Sequence, residues 1–410
     1  MKFIIHRGAN EIGGTCLEVA SDTTRIILDC GWPLEDDGPV TPPPVPGLFV
    51  PGTPPQALLL THGHPDHIGF ISDITSNLPI YATVPTSKMM LAGSIYAGGI
   101  ELPQERFQAL PFPKAKEDCT SVKIGDLLVT PFPVDHSACG AVAFLVEHCG
   151  KRIFYTGDLR FHGRKPGMHQ RIVRELREKL DLLVIEGTNL GRESTGLATE
   201  SAVEDFAVKT ARDQKSLVMV AFSPQNLDRF VSFFRAAMRT GRTFVCDHYM
   251  AAVLYLLHLP ALPKPSAKGQ LRVYFPTDRK RVEKLEQESR AAAIALDEII
   301  ESPQQFMMLV RPGIIDAFNR DLPDGTQLLF GMWSGYREKR EWVQAQTLIA
   351  KANGGFMDCH ASGHASPEGL FKFIEELAPK RIAPVHTLAP QCFASRFPKI
   401  EIIRERMLEL

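Results

Sequence analysis

Short apolar runs alternate with turn-forming residues in the first part of the chain. Residues 2–5, 14–19 and 25–29 are rich in β-branched or apolar side chains and are separated by residues that favour turns, which predicts three short strands. Residues 57–60 form a continuous apolar run of the kind found in a fully buried strand. This pattern indicates that the first part of the chain is built on β-sheet.

Several of the apolar runs lead to residues that can bind metal or transfer protons. Four runs do so: 57–60 before His62, 127–129 before His136, 152–155 before Asp158, and 182–185 before Glu186. In α/β proteins, polar groups at the carboxyl ends of strands form the functional edge of the sheet. We therefore expect these side chains to meet at one edge.

The pattern changes after about residue 190. Amphipathic helices are predicted at 200–212, 227–240 and 281–300, with strands at 216–222 and 243–246, which is typical of a second α/β unit. Apolar runs ending near His360 and His386 then repeat the earlier pattern. We therefore predict a first domain at 1–189, an inserted domain at 190–350, and a segment at 351–410 that completes the first domain.

Composition is that of a globular protein. The 410 residues are 44% hydrophobic and 23% charged, and the formal net charge is −1. The sequence offers no apolar stretch of membrane-spanning length, no signal peptide and no C-x-x-C pair among eight cysteines, so we expect a cytoplasmic protein without a membrane partner. With almost no net charge, a polyanion could be captured only by local positive groups.

Four ligand-type residues fall within six positions after the strand at 57–60. They are His62, His64, Asp66 and His67. Imidazole and carboxylate groups are the ligands of zinc and similar divalent ions, and a tight turn would bring these four together. A single histidine would carry little weight, but this density predicts a metal site.

This cluster resembles the H-x-H-x-D-H signature of the metallo-β-lactamase superfamily. The resemblance implies an α/β fold, the metallo-β-lactamase αββα sandwich, with two metal ions at one edge. It implies the following roles: His62, His64 and His136 on the first metal; Asp66, His67 and His386 on the second; Asp158 bridging both; and Asp29 supporting the ligands without binding metal. Two Zn²⁺ ions per chain are expected, with Mn²⁺ as an alternative.

Further motifs resemble the β-CASP nucleases, and the RNase J family in particular. They are Glu186-Gly187-Thr188-Asn189, Ser362-Gly363-His364, Pro384-Val385-His386, the opening at 8–16, and Trp333-Ser334-Gly335-Tyr336. The resemblance implies that the insertion is a β-CASP α/β domain. It also implies that Glu186 holds a protonated His364 as general acid, with Asp66 as a further catalytic residue.

The same resemblance suggests a phosphate pocket. Residues 222–229 are similar to a strand-to-helix segment of RNase J with one residue extra, and Asn226 stands where the helix begins. Backbone N–H groups at such a helix start can bind a phosphate. Ser362 and Ser366 flank the Gly363-His364 pair. These three residues are predicted to hold a 5′-terminal phosphate.

The predicted activity is hydrolysis of phosphodiester bonds in single-stranded RNA by a hydroxide shared between two metals, with a histidine as general acid. The resemblance favours 5′-to-3′ exonuclease action, with endonuclease action as an alternative. Other readings are a DNA nuclease of the same fold, a hydrolase of small molecules, and a catalytically silent scaffold. The filled ligand positions argue against the scaffold. His386 favours RNA over DNA, because DNA-acting relatives often have valine there, and either a monomer or a dimer is compatible with the sequence.

Overall fold

The computed structural model describes residues 1–34, 40–113, 117–192, 196–277, 282–318 and 321–410. The chain divides into two compact units, one formed by Met1–Ser194 with Gly363–Leu410 and the other by Thr195–Ser362. No helix in the described ranges is both long and apolar enough to cross a membrane.

The described strands are β1 (Lys2–Arg7), β2 (Cys16–Ala20), β3 (Arg25–Leu28), β4 (Ala57–Leu59), β5 (Ile80–Thr83), β6 (Phe107–Leu110), β7 (Val122–Ile124), β8 (Leu127–Pro133), β9 (Val142–His148), β10 (Lys151–Tyr155), β11 (Leu182–Glu186), β12 (Val218–Ala221), β13 (Thr243–Asp247), β14 (Leu271–Tyr274), β15 (Ala293–Ile294), β16 (Phe306–Leu309), β17 (Gln327–Phe330), β18 (Gly355–Asp358), β19 (Arg381–Val385), β20 (Glu401–Ile402) and β21 (Met407–Glu409). The described helices are α1 (Pro65–Ile68), α2 (Val84–Ala97), α3 (Gly167–Leu176), α4 (Glu200–Asp213), α5 (Leu227–Arg239), α6 (His248–Leu257), α7 (Glu283–Glu286), α8 (Leu296–Glu301), α9 (Pro312–Phe318), α10 (Arg340–Lys351), α11 (Pro367–Leu377) and α12 (Gln391–Arg396).

The first unit is a sandwich of two mixed sheets. Their strand orders are β21-β1-β2-β3-β4-β5-β6 and β20-β19-β11-β10-β9-β8-β7. Alternating side chains explain the layers: Ile26 and Leu28 of β3 face the core shared by both sheets, whereas Ile27 lies in a separate core with α1 and α2. The outer face of the other sheet is covered by α3, α11 and α12. The predicted αββα sandwich is therefore confirmed.

The second unit contains a parallel sheet whose order is β15-β14-β13-β16-β12-β17-β18. Its central strands, such as Val218–Ala221 and Phe306–Leu309, are buried along their whole length. Continuous apolar strands are typical of a parallel sheet that helices cover on both faces. Helices α9 and α10 contribute Ile314, Phe318 and Trp342 to this core.

Two features differ from the sequence predictions. The single helix expected at 281–300 is wrong over its described part, residues 282–300: α7 is followed by a 3-10 turn, by the edge strand β15 and by α8. The edge strand forms because β15 pairs with β14 and Ile294 enters the core, while Arg272 binds the carbonyl oxygens of Ala292 and Ala293. In addition, Gly355–Asp358 pairs with β17 in the sheet of the second unit, rather than joining the segment that completes the first domain.

Candidate metal centre

Polar side chains gather where the strands of the first unit end. Strands β10, β11 and β19 run parallel, and Asp158, Glu186 and His386 stand at or just beyond their carboxyl ends. Strand β8 runs in the same direction as β10, because both are antiparallel to β9, and it leads to His136. Strand β4 of the other sheet leads to His62. The expected convergence at one edge is thus present.

The first cluster consists of three imidazole rings and one carboxylate. Ligand atoms of His62, His64, His136 and Asp158 all lie within 4.8 Å of one another. The Nδ1 atom of His64 lies 3.1 Å from Nε2 of His62 and 3.2 Å from Nε2 of His136. Tetrahedral zinc with Zn–N bonds of about 2.0–2.1 Å separates its ligand nitrogens by roughly 3.3 Å. The three rings are therefore spaced as ligands of one ion would be.

The second cluster combines two imidazole rings with two carboxylates. Ligand atoms of Asp66, His67, Asp158 and His386 also lie within 4.8 Å of one another, and all four residues are buried. Nε2 of His386 lies 3.0 Å from Oδ2 of Asp66, and Nε2 of His67 lies 3.2 Å from Oδ2 of Asp158. Asp158 belongs to both clusters, which places it where a bridging ligand would stand.

Several buried atoms of these clusters make no hydrogen bond of good geometry to any described residue. They are Nε2 of His67 and both carboxylate oxygens of Asp158. Buried polar atoms almost always have partners, so orphaned atoms that face one small space require a missing one. A divalent cation fits, because imidazole nitrogens and carboxylate oxygens are its preferred ligands. The residues present thus match a divalent metal.

The electrostatics of the protein alone also favour a cation. Burial and the neighbouring histidines lower the pKa values of His62 and His136 well below the ordinary value, so these rings are neutral, as metal ligands must be. Burial also opposes a charge on His67, but Asp158, Asp29 and Asp66 outweigh it and raise its pKa. Without metal, a proton on His67 offsets part of the negative charge that a bound cation would neutralise.

Hydrogen bonds orient four of the rings. All four use Nδ1. Three of these contacts are His62 with Oγ1 of Thr61 at 3.0 Å, His136 with the carbonyl oxygen of Gly363 at 2.7 Å, and His386 with Oγ1 of Thr188 at 2.9 Å. Both threonine hydroxyls donate to carboxylates, so they accept from the rings. Each ring is thereby held in the tautomer that leaves Nε2 for a metal.

Asp29 organises the fourth ring from beneath the site. Its carboxylate accepts hydrogen bonds from the Nδ1 atom of His67 at 2.8 Å, from the hydroxyl of Tyr155 at 2.7 Å, and from the N–H and hydroxyl of Thr61 at 2.8 Å each. Asp29 and His386 have positive φ angles of 60° and 51°. Such backbone conformations are uncommon outside glycine and are concentrated at functional sites.

A carboxylate–histidine pair lies beside Asp158. Nδ1 of His364 is 3.0 Å from Oε2 of Glu186, and ligand atoms of Asp158, Glu186 and His364 lie within 4.8 Å of one another. Glu186 also accepts from the N–H groups of Leu159 and Thr188 and from the Thr188 hydroxyl. Burial lowers the pKa of His364, but Glu186 and Asp158 outweigh it and raise that pKa to about 9. In the metal-free protein these carboxylates therefore favour the protonated form of the ring at neutral pH.

The three residues of the predicted phosphate pocket are divided between the two units of the chain. Ser366 is the N-cap of α11 and its hydroxyl accepts from the N–H of Gly369, while Asn226 is the N-cap of α5 and its side chain accepts from the N–H of Arg229. Ser366 belongs to the first unit, whereas Asn226 and Ser362 belong to the second. Both caps have structural roles, and the phosphate pocket stays a prediction.

The sequence predicted Asp29 as a supporting residue but not the other residues that support the ligands. Thr61 and Thr188 stand inside motifs that were recognised, and each could have been flagged as a small hydroxyl beside a ligand. Tyr155 is an ordinary residue of a buried strand, and nothing in the local sequence indicates its hydrogen bond to Asp29, which is 126 positions away. That contact exists only because the two sheets face each other.

Two ligand clusters that share Asp158 at one edge of an αββα sandwich define a centre of the metallo-β-lactamase type. A family model described as a beta-lactamase superfamily domain matches residues 24–220 of this chain. Residues 24–220 thus form a segment similar to the domain of that superfamily.

Several curated relatives of the chain are named as ribonucleases. Ribonuclease J of Mycobacterium tuberculosis is 29% identical over 57% of this chain and 42% of its own length. Ribonuclease J of Helicobacter pylori is 20% identical over 92% of this chain and 55% of its own length. Endoribonuclease YSH1 of Gibberella zeae is 25% identical over 46% of this chain and 24% of its own length. The chain therefore spans between about a quarter and about half of these relatives.

A solved structure shares the whole fold. It is a protein of unknown function from Enterococcus faecalis V583, with a TM-score of 0.81 and 24% identity, and the match covers 100% of this chain and 99% of that one. This likeness concerns the fold alone.

Proposed function

We propose that this protein is a metal-dependent ribonuclease that hydrolyses phosphodiester bonds of single-stranded RNA. The observation that carries the proposal is the position of Asp158, which lies within 4.8 Å of ligand atoms in both metal-type clusters and in the Glu186–His364 pair. A phosphodiesterase needs an activated water, charge neutralisation and an acid for the leaving group. The names of the relatives, ribonuclease J and endoribonuclease YSH1, support RNA as the substrate.

The two clusters would each hold one divalent ion. His62, His64 and His136 would bind one, and Asp66, His67 and His386 the other, with Asp158 shared between them. We propose zinc, because imidazole-rich sets suit it, with manganese as an alternative. When bound, such a pair of ions supplies an activated water nucleophile and neutralises charge that develops on the phosphoryl group.

The protein's own groups would manage the leaving group. Glu186 holds the Nδ1 atom of His364, so Nε2 is the atom that would donate a proton to the departing 3′ oxygen. Glu186 is fixed by hydrogen bonds from the backbone of Leu159 and Thr188, so it orients the ring and favours its charged form. General acid catalysis of this kind contributes about a hundredfold or more to a rate.

A cleavage assay with purified protein tests the proposal. The protein is loaded with Zn²⁺ or Mn²⁺ and incubated with 5′-phosphorylated or 5′-hydroxyl single strands of RNA and of DNA. We expect cleavage of RNA, stepwise release of mononucleotides from the phosphorylated strand, and a rate at least about a hundredfold lower for His364→Ala with unchanged metal content. Internal cuts would identify an endonuclease, cleavage of DNA alone would replace the substrate, and no cleavage of any strand would favour a small-molecule hydrolase.

A further inference from the structure

Two large aromatic side chains are exposed on the second unit. Trp333 is 56% exposed and Tyr336 is 41% exposed, and their rings form an edge-to-face pair with centroids 5.7 Å apart. By contrast, Trp342 of α10 is buried against Phe330. Exposed paired rings on the surface of a folded unit are typical of a binding site.

The backbone is shaped to hold the Trp333 ring. A Cβ atom at Gly335 would lie 2.3 Å from the indole, so any side chain there would push the ring away. The ring therefore lies directly over the glycine backbone. Glycine leaves room for this close approach, so the indole lies against the turn while more than half of its surface stays exposed.

The rings follow, along the chain, the carboxyl end of a strand of the parallel sheet. Strand β17 ends at Phe330, and Gly331 donates to the carbonyl oxygen of Ala221 at the end of the neighbouring strand β12. The chain leaves β12 towards β13 on one side of the sheet and leaves β17 towards β18 on the other. Ligands of open parallel sheets bind beside the carboxyl ends of strands whose connections diverge in this way.

The chemistry around the rings fits a polyanion that carries flat groups. Residues 337–341 include three basic and two acidic side chains, and the Nζ atom of Lys339 lies 4.6 Å from the centre of the Tyr336 ring. The rings border a groove of about 750 Å³ whose lining includes Arg337, Glu338, Gln346 and Thr347. Arg337 is paired with Asp358 at 2.8 Å, which leaves Lys339 and Arg340 as the nearby cations for a phosphate. Aromatic rings next to cations form the stacking platforms of proteins that bind single-stranded nucleic acid.

We propose that Trp333 and Tyr336 form a platform on which bases of a single-stranded nucleic acid stack, with Lys339 and Arg340 beside its phosphates. This inference rests on the proposed function and deepens it, since it names residues of the second unit that would hold the substrate strand. Stacking uses the face of a base, so the platform accepts any sequence and both RNA and DNA single strands. It does not accept a duplex, whose bases are already stacked.

A binding assay tests the platform independently of cleavage. Metal-free protein in the presence of chelator is titrated against a fluorescein-labelled, unstructured 15-nucleotide RNA, the matched single-stranded DNA and the matched RNA duplex. We expect Trp333→Ala to weaken binding of both single strands by about tenfold, while Trp333→Phe stays within about threefold. Leu259→Ala, which removes another exposed apolar side chain of the same unit, should change nothing. Indole fluorescence should be quenched by the single strand in the wild type more than in Trp333→Phe.

The possible results separate this inference from the proposed activity. If RNA is cleaved but Trp333→Ala leaves both affinity and KM unchanged, the platform is overturned and the ribonuclease stands. If no strand is cleaved but Trp333→Ala weakens binding, the platform stands and the ribonuclease does not. Absence of any single-strand binding by the wild type, or loss of a dimer in sedimentation of Trp333→Ala, would overturn the platform, the latter in favour of a protein interface.

Discussion

Two buried clusters of charged side chains differ in how far their carboxylates are hydrogen bonded. In the second unit, the fully buried Arg229 donates to both carboxylate oxygens of Glu200 at 3.1 Å and to the carbonyl oxygens of Gly331 and Ala361, and Ser232 donates to the same carboxylate. In the first unit, Asp158 is equally buried, yet its oxygens make no hydrogen bond of good geometry to any described residue.

The contrast distinguishes a structural ion pair from a ligand site. Burying a charge is unfavourable unless it is paired and hydrogen bonded, and the Arg229 cluster satisfies that requirement by itself. In the Asp158 clusters the charged form of His67, whose Nε2 lies 3.2 Å from Asp158, offsets only part of the negative charge, and a bound cation would offset the rest. Burial of charge alone therefore does not identify a functional site, whereas buried ligand atoms that face one another without hydrogen bonds of good geometry indicate one.

The largest expected effect is on catalysis, in Asp158→Asn. An amide cannot bridge two cations as a carboxylate does, so we expect the metal content to fall from about two ions per chain to one or fewer. Loss of several kcal/mol of charge stabilisation should lower RNA cleavage by about a thousandfold. Elemental analysis and single-turnover kinetics measure both. Asp181→Asn, at a buried carboxylate of the same unit that binds Lys380 and a backbone N–H, should leave both unchanged.

A change in the hydrogen-bonded Arg229 cluster should lower the stability of the fold rather than the metal content. Arg229→Met leaves Glu200 buried without its cation, so we expect the free energy of unfolding to fall by about 3 kcal/mol while the metal content stays the same. Denaturant unfolding followed by elemental analysis measures both quantities. Arg239→Met removes a half-exposed ion pair and should change little. A loss of metal in Arg229→Met would contradict the contrast between the clusters.

A smaller effect on metal affinity is expected in Asp29→Asn. The carboxylate holds His67 through Nδ1 without belonging to either ligand cluster, so its loss should loosen the ring rather than remove a ligand. We expect metal affinity to fall by about tenfold, since groups that orient a ligand contribute that much. Competition with a coloured chelator measures the affinity, and an unchanged affinity would show that Asp29 only supports the fold.

The smallest expected effect is on the free energy of unfolding and depends on pH. It concerns Glu18, a hydrogen-bonded carboxylate of the first unit. Burial raises the pKa of Glu18, but hydrogen bonds from Arg25 and His6 outweigh it and hold that pKa at about 2. Because the pKa is lower in the folded state, the stabilisation is complete above about 4.5 and is lost as the pH falls towards 2.

We therefore expect Glu18→Gln to lower the free energy of unfolding by roughly 1 kcal/mol at pH 7 and to flatten its decline below pH 4.5. Unfolding of metal-free protein measured across this range provides the comparison. Glu147→Gln, which disrupts a more exposed pair with Arg152, should reproduce neither change. Parallel pH curves for wild type and Glu18→Gln would contradict the assignment.

Local patterns predicted much of the fold because apolar runs and turn residues are local signals. The expected strands at 25–29, 57–60 and 182–185 correspond to Arg25–Leu28, Ala57–Leu59 and Leu182–Glu186. The helix expected at 281–300 failed because pairing with β14 and burial of Ile294 outweigh the helical pattern of that segment. Tertiary context decides such short segments, and sequence spacing does not contain it.

The ligands themselves could be predicted because His62 to His67 lie within one turn of chain. His136, Asp158 and His386 could be placed only through a resemblance, since the elements that carry them are distant in sequence. The supporting hydrogen bonds of Tyr155 and Thr188 could not be anticipated, because they depend on the positions of different strands. The candidate ligands were thus visible in the sequence, whereas most of the residues that orient them became visible only in three dimensions.

The most direct test is a crystal structure of the protein grown with Zn²⁺, with anomalous differences recorded at the zinc edge. We predict two peaks on either side of the Asp158 carboxylate, one among His62, His64 and His136, and the other among Asp66, His67 and His386. A map without peaks there, or with Asp158 turned away from a single ion, would contradict the assignment of this edge as a dinuclear metal centre.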